Sequence, residues 1–438
     1  MSSPLAIQGG TPVLDNTQHL RWPVITQADR AAVMAVLDRG VLSGPFAPEV
    51  RALEQAFARF AGVRHALATN SGTAAIHVAL AAAGIGPGDE VITSAYSFVA
   101  TALAVLHQGA VPIFVDIEPR SFGLNPSLLE GAITPRTRAV LPVHIHGTPC
   151  DLDPMLEICR RRGIPLIEDA CQAHGAIYRG RSVGSIGAMG CFSTQSSKIL
   201  ACGEGGVFVT DDPELVLRAN RTRMFGEDIP TMEDSGWNAD RPLDAARAYD
   251  SSTVGWMYRT NELSAALARS QLARVSAWND RGRRSARRLS ARLAGLPGVR
   301  PPFTPEGSVE VVHKYRVRLD ARALGIDAPP RRVRDAMIRA LRAEGLEVVV
   351  WQTLPVPGQR VFRERNAVGG GAPWNLRPFV DYDLGQFPET TSLLDDSIVL
   401  FSQSCPILPQ HDEVIDAYAT AFERVWPRLG ELLSEASS

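Results

Sequence analysis

The sequence lacks any apolar run long enough to cross a membrane, which excludes a membrane-spanning enzyme. Residues 1–18 also lack the basic start and the apolar stretch of a signal peptide, so we expect a cytoplasmic protein. Cysteine is scarce, with six among 438 residues, and none forms a Cys-x-x-Cys pair or joins a histidine at metal-ligand spacing. We therefore expect reduced thiols in the core and no metal site.

A large charge of one sign is absent as well, because the formal net charge is −2 at pH 7. This near-neutral balance argues against nucleic acid or a membrane surface as the main partner. Arginine does cluster between residues 281 and 288, but its helical spacing is typical of a solvated helix face. The composition thus favours a partner that is a small molecule.

Short apolar runs alternate with helical segments over the first half of the chain. The strand-like runs occupy residues 66–68, 91–93, 111–115, 139–143, 165–167 and 207–210. Strands separated by helices require crossover connections, and these predict a mostly parallel sheet that is buried on both faces. The sequence therefore predicts an α/β fold for this part of the chain.

A different pattern follows, and 438 residues exceed one ordinary core, so we expect two domains. Strand-like and helical segments at residues 313–319, 331–344 and 346–351 predict a smaller α+β domain. We divide the chain into an N-terminal arm, a large domain, a small C-terminal domain and, within the latter, an irregular insertion rich in glycine, proline and aromatic residues. Their predicted bounds are 1–27, 28–265, 266–438 and 355–391. The insertion is interpreted as a cover over the active site.

One lysine stands alone in a run of small residues. Lys198 follows Ser196 and Ser197 and precedes the segment 203–206, Gly-Glu-Gly-Gly, which leads into a strand. Partial desolvation lowers a lysine pKa, and the neutral amine is the nucleophile that forms a Schiff base with an aldehyde cofactor. A simple loop lysine between two strands is the alternative, and this segment alone does not decide between them.

The segment 66–80 predicts a strand, a small polar turn and a helix. Free backbone N–H groups at a helix N-terminus bind anions, and Gly72 would let an anion approach closely. An ordinary N-cap by Ser71 or Thr73 is the competing interpretation. The turn is therefore a candidate phosphate site that needs support from other residues.

Two further segments follow predicted strands, where ligands of open α/β sheets collect. Asp169 stands just after an apolar strand, and a carboxylate there can keep a pyridine nitrogen protonated, as pyridoxal phosphate requires. An N-cap for a following helix is the alternative for Asp169. The aromatic residues of segment 94–98 could cover a flat ligand or cap the core, and the residues alone favour the core.

Taken in order, these segments resemble the DegT/StrS family of sugar and cyclitol aminotransferases. The likeness extends to about residue 270 and rests on the order and spacing of segments 70–75, 86–91, 98–101, 142–144, 168–175 and 198–206. It implies a fold-type I enzyme that uses pyridoxal 5'-phosphate. It also implies a homodimer whose active sites lie at the subunit interface.

By position, the resemblance implies a complete cofactor site in the large domain. Lys198 would form the Schiff base, and Asp169 would pair with the pyridine nitrogen. Five residues would supply the other contacts: Gly72, Thr73 and Ser193 at the phosphate, Phe98 stacked on the ring, and Gln172 near the ring substituents.

The chain departs from the family at Met257. Family members commonly show Gly-Tyr-Asn-Tyr-Arg, whose asparagine reaches the phosphate of the neighbouring subunit, whereas residues 255–259 here are Gly-Trp-Met-Tyr-Arg. A methionine cannot donate that hydrogen bond. We expect Arg259 or a neighbouring loop residue to replace the contact.

The function that the resemblance implies is transfer of an amino group from glutamate or glutamine to a keto sugar or keto cyclitol, in aminosugar or antibiotic biosynthesis. One alternative is another reaction on the same scaffold, either an aminobenzoate-forming dehydration or a sugar deoxygenation. The presence of Lys198 opposes the dehydratase branch, in which histidine replaces this lysine. A regulatory relative without turnover is the third possibility. Substrate specificity is expected to reside in segments 224–258 and 351–391.

Overall fold

The computed structural model of the protein describes residues 3–44, 47–228, 250–366, 371–377 and 380–435. Its helices are α1 (Gln27–Arg39), α2 (Pro48–Ala61), α3 (Gly72–Ala82), α4 (Ala100–His107), α5 (Pro126–Ala132), α6 (Leu152–Arg162), α7 (Pro213–Arg223), α8 (Glu262–Leu272), α9 (Val275–Leu293), α10 (Pro330–Ala343), α11 (Arg360–Arg363), α12 (Pro388–Asp396), α13 (Asp412–Val425) and α14 (Leu429–Glu435). Its strands are β1 (His65–Thr69), β2 (Glu90–Ser94), β3 (Val111–Val115), β4 (Thr137–Leu141), β5 (Ile167–Asp169), β6 (Ile177–Tyr178), β7 (Arg181–Ser182), β8 (Met189–Ser193), β9 (Gly206–Thr210), β10 (Val299–Arg300), β11 (Ser308–Val309), β12 (Tyr315–Leu319), β13 (Val348–Val349) and β14 (Ser397–Leu400).

A mostly parallel sheet forms the centre of the fold. Strands β3, β2 and β4 pair in parallel, and β5 pairs in parallel with β8. Bridges Val140–Leu166 and Val143–Asp169 connect β4 to β5. Strand β9 lies between β8 and β1 and runs antiparallel to both. The predicted α/β fold with a mostly parallel sheet is thereby confirmed.

Helices cover both faces of this sheet, as alternation of side chains along β8 illustrates. Cys191 belongs to the core beneath α3, whereas its neighbour Phe192 belongs to the core on the other face. There Phe192 meets Phe57 of α2, with ring centroids 4.9 Å apart. Burial on both faces explains why the strands are apolar throughout instead of alternating between apolar and polar residues.

A second sheet, β10-β12-β14-β13, is antiparallel and packs against α9, α10 and α13. Tyr315, Val317 and Leu319 of β12 enter its core. Because side chains alternate along a strand, Arg316 and the preceding Lys314 lie on the opposite side, away from that core. The predicted small α+β region is present, while the exact domain bounds stay a prediction.

Several predicted elements have different limits in the structure, among them the strand-like runs 139–143 and 346–351, which are β4 (Thr137–Leu141) and β13 (Val348–Val349). The residues 261–291, which have helical periodicity, form two helices, α8 and α9, with a break at Ala273 and Arg274. The strand expected at 165–167 begins at Ile167, since Leu166 forms only an isolated bridge. The predicted loop at 224–258 lies mostly outside the described residues. Within the described ranges, no helix has the length and apolar character needed to cross a membrane.

Candidate active site

A cavity of about 390 Å³ lies where the parallel strands of the central sheet end. Segments of the large sheet form one wall, and residues near the small sheet form another. The structure brings together in this cavity all seven residues that the sequence singled out: Gly72, Thr73, Phe98, Asp169, Gln172, Ser193 and Lys198. Their roles toward a ligand remain predictions.

The loop that carries Lys198 is held in place by backbone hydrogen bonds. Thr194 N donates to Gly205 O and Ser196 N donates to Gly203 O, each over 2.8 Å, so the pairing of β8 with β9 continues into the loop. At the far end, the Trp22 indole N–H donates to the carbonyl of Lys198 over 2.9 Å. The lysine therefore starts from a fixed backbone.

Burial lowers the pKa of Lys198 from its ordinary value. Cys171 and Asp169 act in the opposite direction, but the loss of solvation is the larger effect. Among the described residues, no carboxylate lies within ion-pair distance of the Lys198 amine. This environment favours the neutral, nucleophilic form of the amine.

Asp169 ends β5 with a buried carboxylate whose two oxygens are both hydrogen-bonded. Its Oδ2 accepts from Thr101 Oγ1 over 2.7 Å, and its Oδ1 accepts from Cys171 N over 3.1 Å. Thr101 is in turn hydrogen-bonded to Ser97 over 2.7 Å. A turn follows Asp169, so the alternative of an N-cap for a following helix is wrong. The carboxylate is oriented before any ligand arrives.

The neighbouring Glu168 has a structural role. It is fully buried and accepts hydrogen bonds from the backbone N–H groups of Gly184, Ile186 and Gly187 over 2.6 to 2.7 Å. His144 Nε2 lies 3.0 Å from the same carboxylate. These contacts hold the loop that leads into β8 against the end of β5, which fixes the position of Asp169.

The turn before α3 combines an N-cap with a tight contact. Ser71 Oγ accepts from Ala74 N over 3.0 Å, so the predicted cap exists, and the turn also lines the cavity. A Cβ atom at Gly72 would lie 2.6 Å from Ser193 Cβ and 3.0 Å from Cys171 Sγ. Only glycine fits at this position, because the turn packs directly against β8.

The aromatic residues of segment 94–98 divide between core and cavity. Tyr96 is fully buried, and its hydroxyl lies 2.8 Å from His146 Nε2. Phe98 is 56% exposed and lines the cavity. The residue-based preference for the core therefore holds for Tyr96 and is wrong for Phe98, whose ring is free to cover a ligand.

Gln172 presents one end of its amide to the protein. Its Oε1 accepts from His146 N over 2.9 Å. Its amide N–H₂ group has no hydrogen-bond partner among the described residues and belongs to a side chain that lines the cavity. Gln172 is therefore a donor that a ligand in the cavity can use.

Sequence reasoning missed most of the wall that comes from the C-terminal half of the chain, and only Trp351 lies in a segment, 351–391, that was expected to determine substrate specificity. His313, Lys314, Trp351 and Gln403 all line the cavity. One signal was available: Lys314 and Arg316 are basic residues spaced by two in a strand-like run that is otherwise apolar on one side. Such spacing places two cations on one face of a strand.

The side chains match the three chemical needs of pyridoxal 5'-phosphate. Lys198 offers a desolvated amine for an aldehyde, and Asp169 offers a fixed carboxylate for a protonated ring nitrogen. The turn at Gly72 and the Ser193 hydroxyl offer a helix N-terminus and a donor for a phosphate. The donor set fits this cofactor.

Comparisons with known proteins agree with this chemistry. The sequence model of the DegT/DnrJ/EryC1/StrS aminotransferase family matches residues 23–373. The chain is 36% identical to the L-glutamine:scyllo-inosose aminotransferase of Streptomyces griseus, over 99% of this chain and 100% of the relative. It is 38% identical to the dTDP-3-amino-3,4,6-trideoxy-alpha-D-glucose transaminase of Streptomyces venezuelae, over 74% of this chain and 78% of the relative.

Solved structures give the same picture for the fold. The crystal structure of DesI in the presence of its TDP-sugar product superposes with a TM-score of 0.80 at 28% identity, and covers 99% of each chain. A structure of 3-amino-5-hydroxybenzoic acid synthase superposes with a TM-score of 0.76 at 28% identity, over 93% of this chain and 99% of the other. The similarity thus extends through both sheets.

Proposed function

The chain belongs to the DegT/DnrJ/EryC1/StrS aminotransferase family, and from this premise we propose that it binds pyridoxal 5'-phosphate in the cavity around Lys198. There it transfers an amino group from glutamate or glutamine to a keto sugar or keto cyclitol. The observation that carries this proposal is the convergence of Lys198, Asp169 and the Gly72 turn on one cavity.

Different residues of the cavity would bind different parts of the cofactor. Lys198 is the covalent attachment point, and Asp169 pairs with the ring nitrogen. Gly72, Thr73 and Ser193 bind the phosphate, Phe98 covers the ring, and Gln172 donates to a ring substituent. When bound, the cofactor supplies an electron sink for the carbon that carries the reacting amine.

Lys198 and Asp169 have distinct proton tasks. Desolvation lowers the pKa of Lys198 and favours its neutral amine, so Nζ would act as a general base and acid in the chemistry that the bound cofactor supplies. The Asp169 carboxylate holds a proton on the ring nitrogen by charge-assisted hydrogen bonding. Thr101 and the Cys171 backbone N–H keep that carboxylate oriented.

We propose a keto cyclitol as the first acceptor to test. The match to the scyllo-inosose enzyme spans nearly the whole chain, including the C-terminal segments that contribute His313, Lys314 and Trp351 to the cavity. Relatives that act on nucleotide-linked sugars, such as the Streptomyces venezuelae enzyme, support a keto sugar as the second class. A homodimer, a cytoplasmic location and a place in antibiotic biosynthesis are further parts of the proposal.

A screen of donors and acceptors tests the proposal. Purified protein loaded with pyridoxal 5'-phosphate is mixed with single amino acids, and conversion of the cofactor to its amine form is followed by absorbance. We expect glutamine or glutamate to convert it and scyllo-inosose or a nucleotide-linked keto sugar to reverse the change. Loaded protein that no amino acid converts would contradict an aminotransferase function.

A further inference from the structure

A second lysine, Lys314, lines the cavity. Lys314 is only 8% exposed, and no carboxylate among the described residues lies within ion-pair distance of its amine. The Nζ atom of Lys314 lies 5.5 Å from the centroid of the Trp351 ring, within the range of a cation–π contact. A buried ammonium without a counter-ion is rare, because removal of its hydration shell is strongly unfavourable.

Other basic side chains lie near Lys314 and add to the positive charge of this part of the cavity. Arg316, two residues further along and on the same side of β12, is buried and donates to His146 Nε2 and to Ser397 Oγ. No carboxylate of the described part of the chain lies within 4 Å of its guanidinium. Lys198 lines the same cavity. Lys198 and Lys314 therefore both line the cavity, and the buried Arg316 adds positive charge near Lys314.

Two carboxylates line the cavity, and neither pairs with Lys314. Asp169 already accepts from Thr101 and Cys171, and the proposed cofactor requires its charge. Glu204, the other carboxylate that lines the cavity, is exposed to solvent. A negatively charged substrate group would therefore pair with Lys314 more favourably than a neutral group would.

An amino acid donor brings such an anion to a defined place. The α-carboxylate of the donor is bonded to the same carbon that carries the reacting amine. A cation that binds this carboxylate must therefore lie close to Lys198. A diphosphate of a nucleotide-linked acceptor is separated from the reacting carbon by the sugar ring, and it favours the open mouth of the cavity over a buried wall. The buried position of Lys314 favours the carboxylate.

On the basis of the proposed function, we propose that Lys314 binds the α-carboxylate of the amino acid donor and thereby selects α-amino acids in the donor half-reaction. The Trp351 ring holds the side chain in position from one side through a cation–π contact. The residue acts by binding, and the neutral acceptor does not need it.

The protonation behaviour of Lys314 agrees with this assignment. Burial, with the charges of Lys198 and Arg316, lowers the pKa of Lys314 to about 7. The protonated form binds the carboxylate, and this form is lost as pH rises through that value. His146 and His313 also face this region, and burial holds both of their pKa values well below the ordinary range, so they stay neutral there.

The test measures donor binding apart from turnover. The loaded enzyme is titrated with α-methylglutamine, which binds as a donor but has no α-proton to lose, and with its α-carboxamide, which lacks the negative charge. Spectral titration gives both dissociation constants for the wild type, Lys314→Gln and Lys314→Arg. A hydrogen-bonded charge pair contributes about 1.5–3 kcal/mol, so Lys314→Gln should weaken α-methylglutamine binding by roughly 10- to 150-fold.

The carboxamide is the matched control for the ligand, and Lys314→Arg is the control for the residue. Wild-type enzyme should prefer the carboxylate over the carboxamide, Lys314→Gln should lose that preference, and Lys314→Arg should keep part of it. Unchanged α-methylglutamine affinity in Lys314→Gln, or a loss that falls on a nucleotide-linked acceptor instead, would overturn the assignment.

Wild-type enzyme provides a test even if neither variant folds. Its affinity for α-methylglutamine should fall as pH rises through about 7, and the carboxamide should not show this fall. Equal pH dependence of both ligands would refute the role of Lys314. Failure of the proposed function is distinguishable, since wild-type enzyme would then show no spectral response to any amino acid.

Discussion

Replacement of Gly72 by alanine tests whether the turn before α3 is a cofactor-binding wall. The added Cβ would lie 2.6 Å from Ser193 Cβ, whereas ordinary contacts of this kind begin at 3.4 Å. The turn and β8 would have to separate by about 0.8 Å, the difference between these two values. Both elements are buried, so neither can yield through a flexible side-chain end.

The magnitude follows from the packing. A methyl group forced into a well-packed site costs about 1–3 kcal/mol. Because the displaced elements carry the proposed phosphate contacts, we expect this loss to appear in cofactor binding, as roughly 5- to 150-fold weaker affinity. Equilibrium dialysis of the apoprotein with pyridoxal 5'-phosphate measures that affinity, and a thermal melt of the apoprotein reports the change in folding.

Gly131→Ala is the matched control. Gly131 lies in α5, and an added Cβ there would meet no atom within 4 Å. Alanine should stabilise this helix by up to about 1 kcal/mol and leave cofactor affinity unchanged. If Gly72→Ala binds the cofactor as tightly as the wild type does, the turn is not the phosphate site and the account of this wall is incorrect.

Three further substitutions test individual residues of the site. Asp169→Asn should still bind the cofactor but slow turnover by about two orders of magnitude or more, because a neutral amide cannot hold the ring nitrogen protonated. Single-turnover absorbance measures the rate. A near-normal rate would refute the role of Asp169 at the ring nitrogen. Ser193→Ala should weaken cofactor affinity by roughly 10- to 150-fold in dialysis, since a hydrogen bond to a charged group contributes about 1.5–3 kcal/mol. An unchanged value would argue against a phosphate contact. Met257→Asn should tighten cofactor binding modestly in a dimer and have no effect in a monomeric variant; a gain that survives in monomers would show that position 257 serves its own subunit.

The last of these substitutions concerns a segment with a clear position in the single chain. Asn70 N donates to Tyr258 O over 2.7 Å, so residues next to Met257 are attached to the turn that leads into α3. The Met257 side chain is 46% exposed. An asparagine at this position would therefore be accessible both to its own subunit and to a partner, and the comparison of dimer with monomer separates the two.

The sequence predicted the parts of the site that come from consecutive strand ends. Asp169 stood out because it ends an apolar strand, and Lys198 stood out because it is alone in a run of small residues between two strands of the central sheet. Gly72 stood out because it lies between a strand and a helix. In an α/β fold the carboxyl ends of parallel strands meet at one edge, so residues near those ends could be assigned to one site from order alone.

The missed residues could not be assigned in this way. His313 and Lys314 precede a strand of the second sheet, and no rule of chain order states how that sheet lies against the first. The different environments of Tyr96 and Phe98 could not be predicted for a similar reason. Both aromatic residues belong to one short segment, and only the folded loop places Tyr96 in the core and Phe98 at the cavity. Tertiary packing decided these positions.

The most direct test of the account is the identity of the lysine that binds the cofactor. Protein reconstituted with pyridoxal 5'-phosphate is reduced with borohydride, digested, and mapped by mass spectrometry. Lys198 and Lys314 line the same cavity, so the peptide map compares two buried amines under the same conditions. The account predicts the reduced cofactor on Lys198 alone. Label on Lys314, the other lysine of the chain, or none after reconstitution, would contradict it.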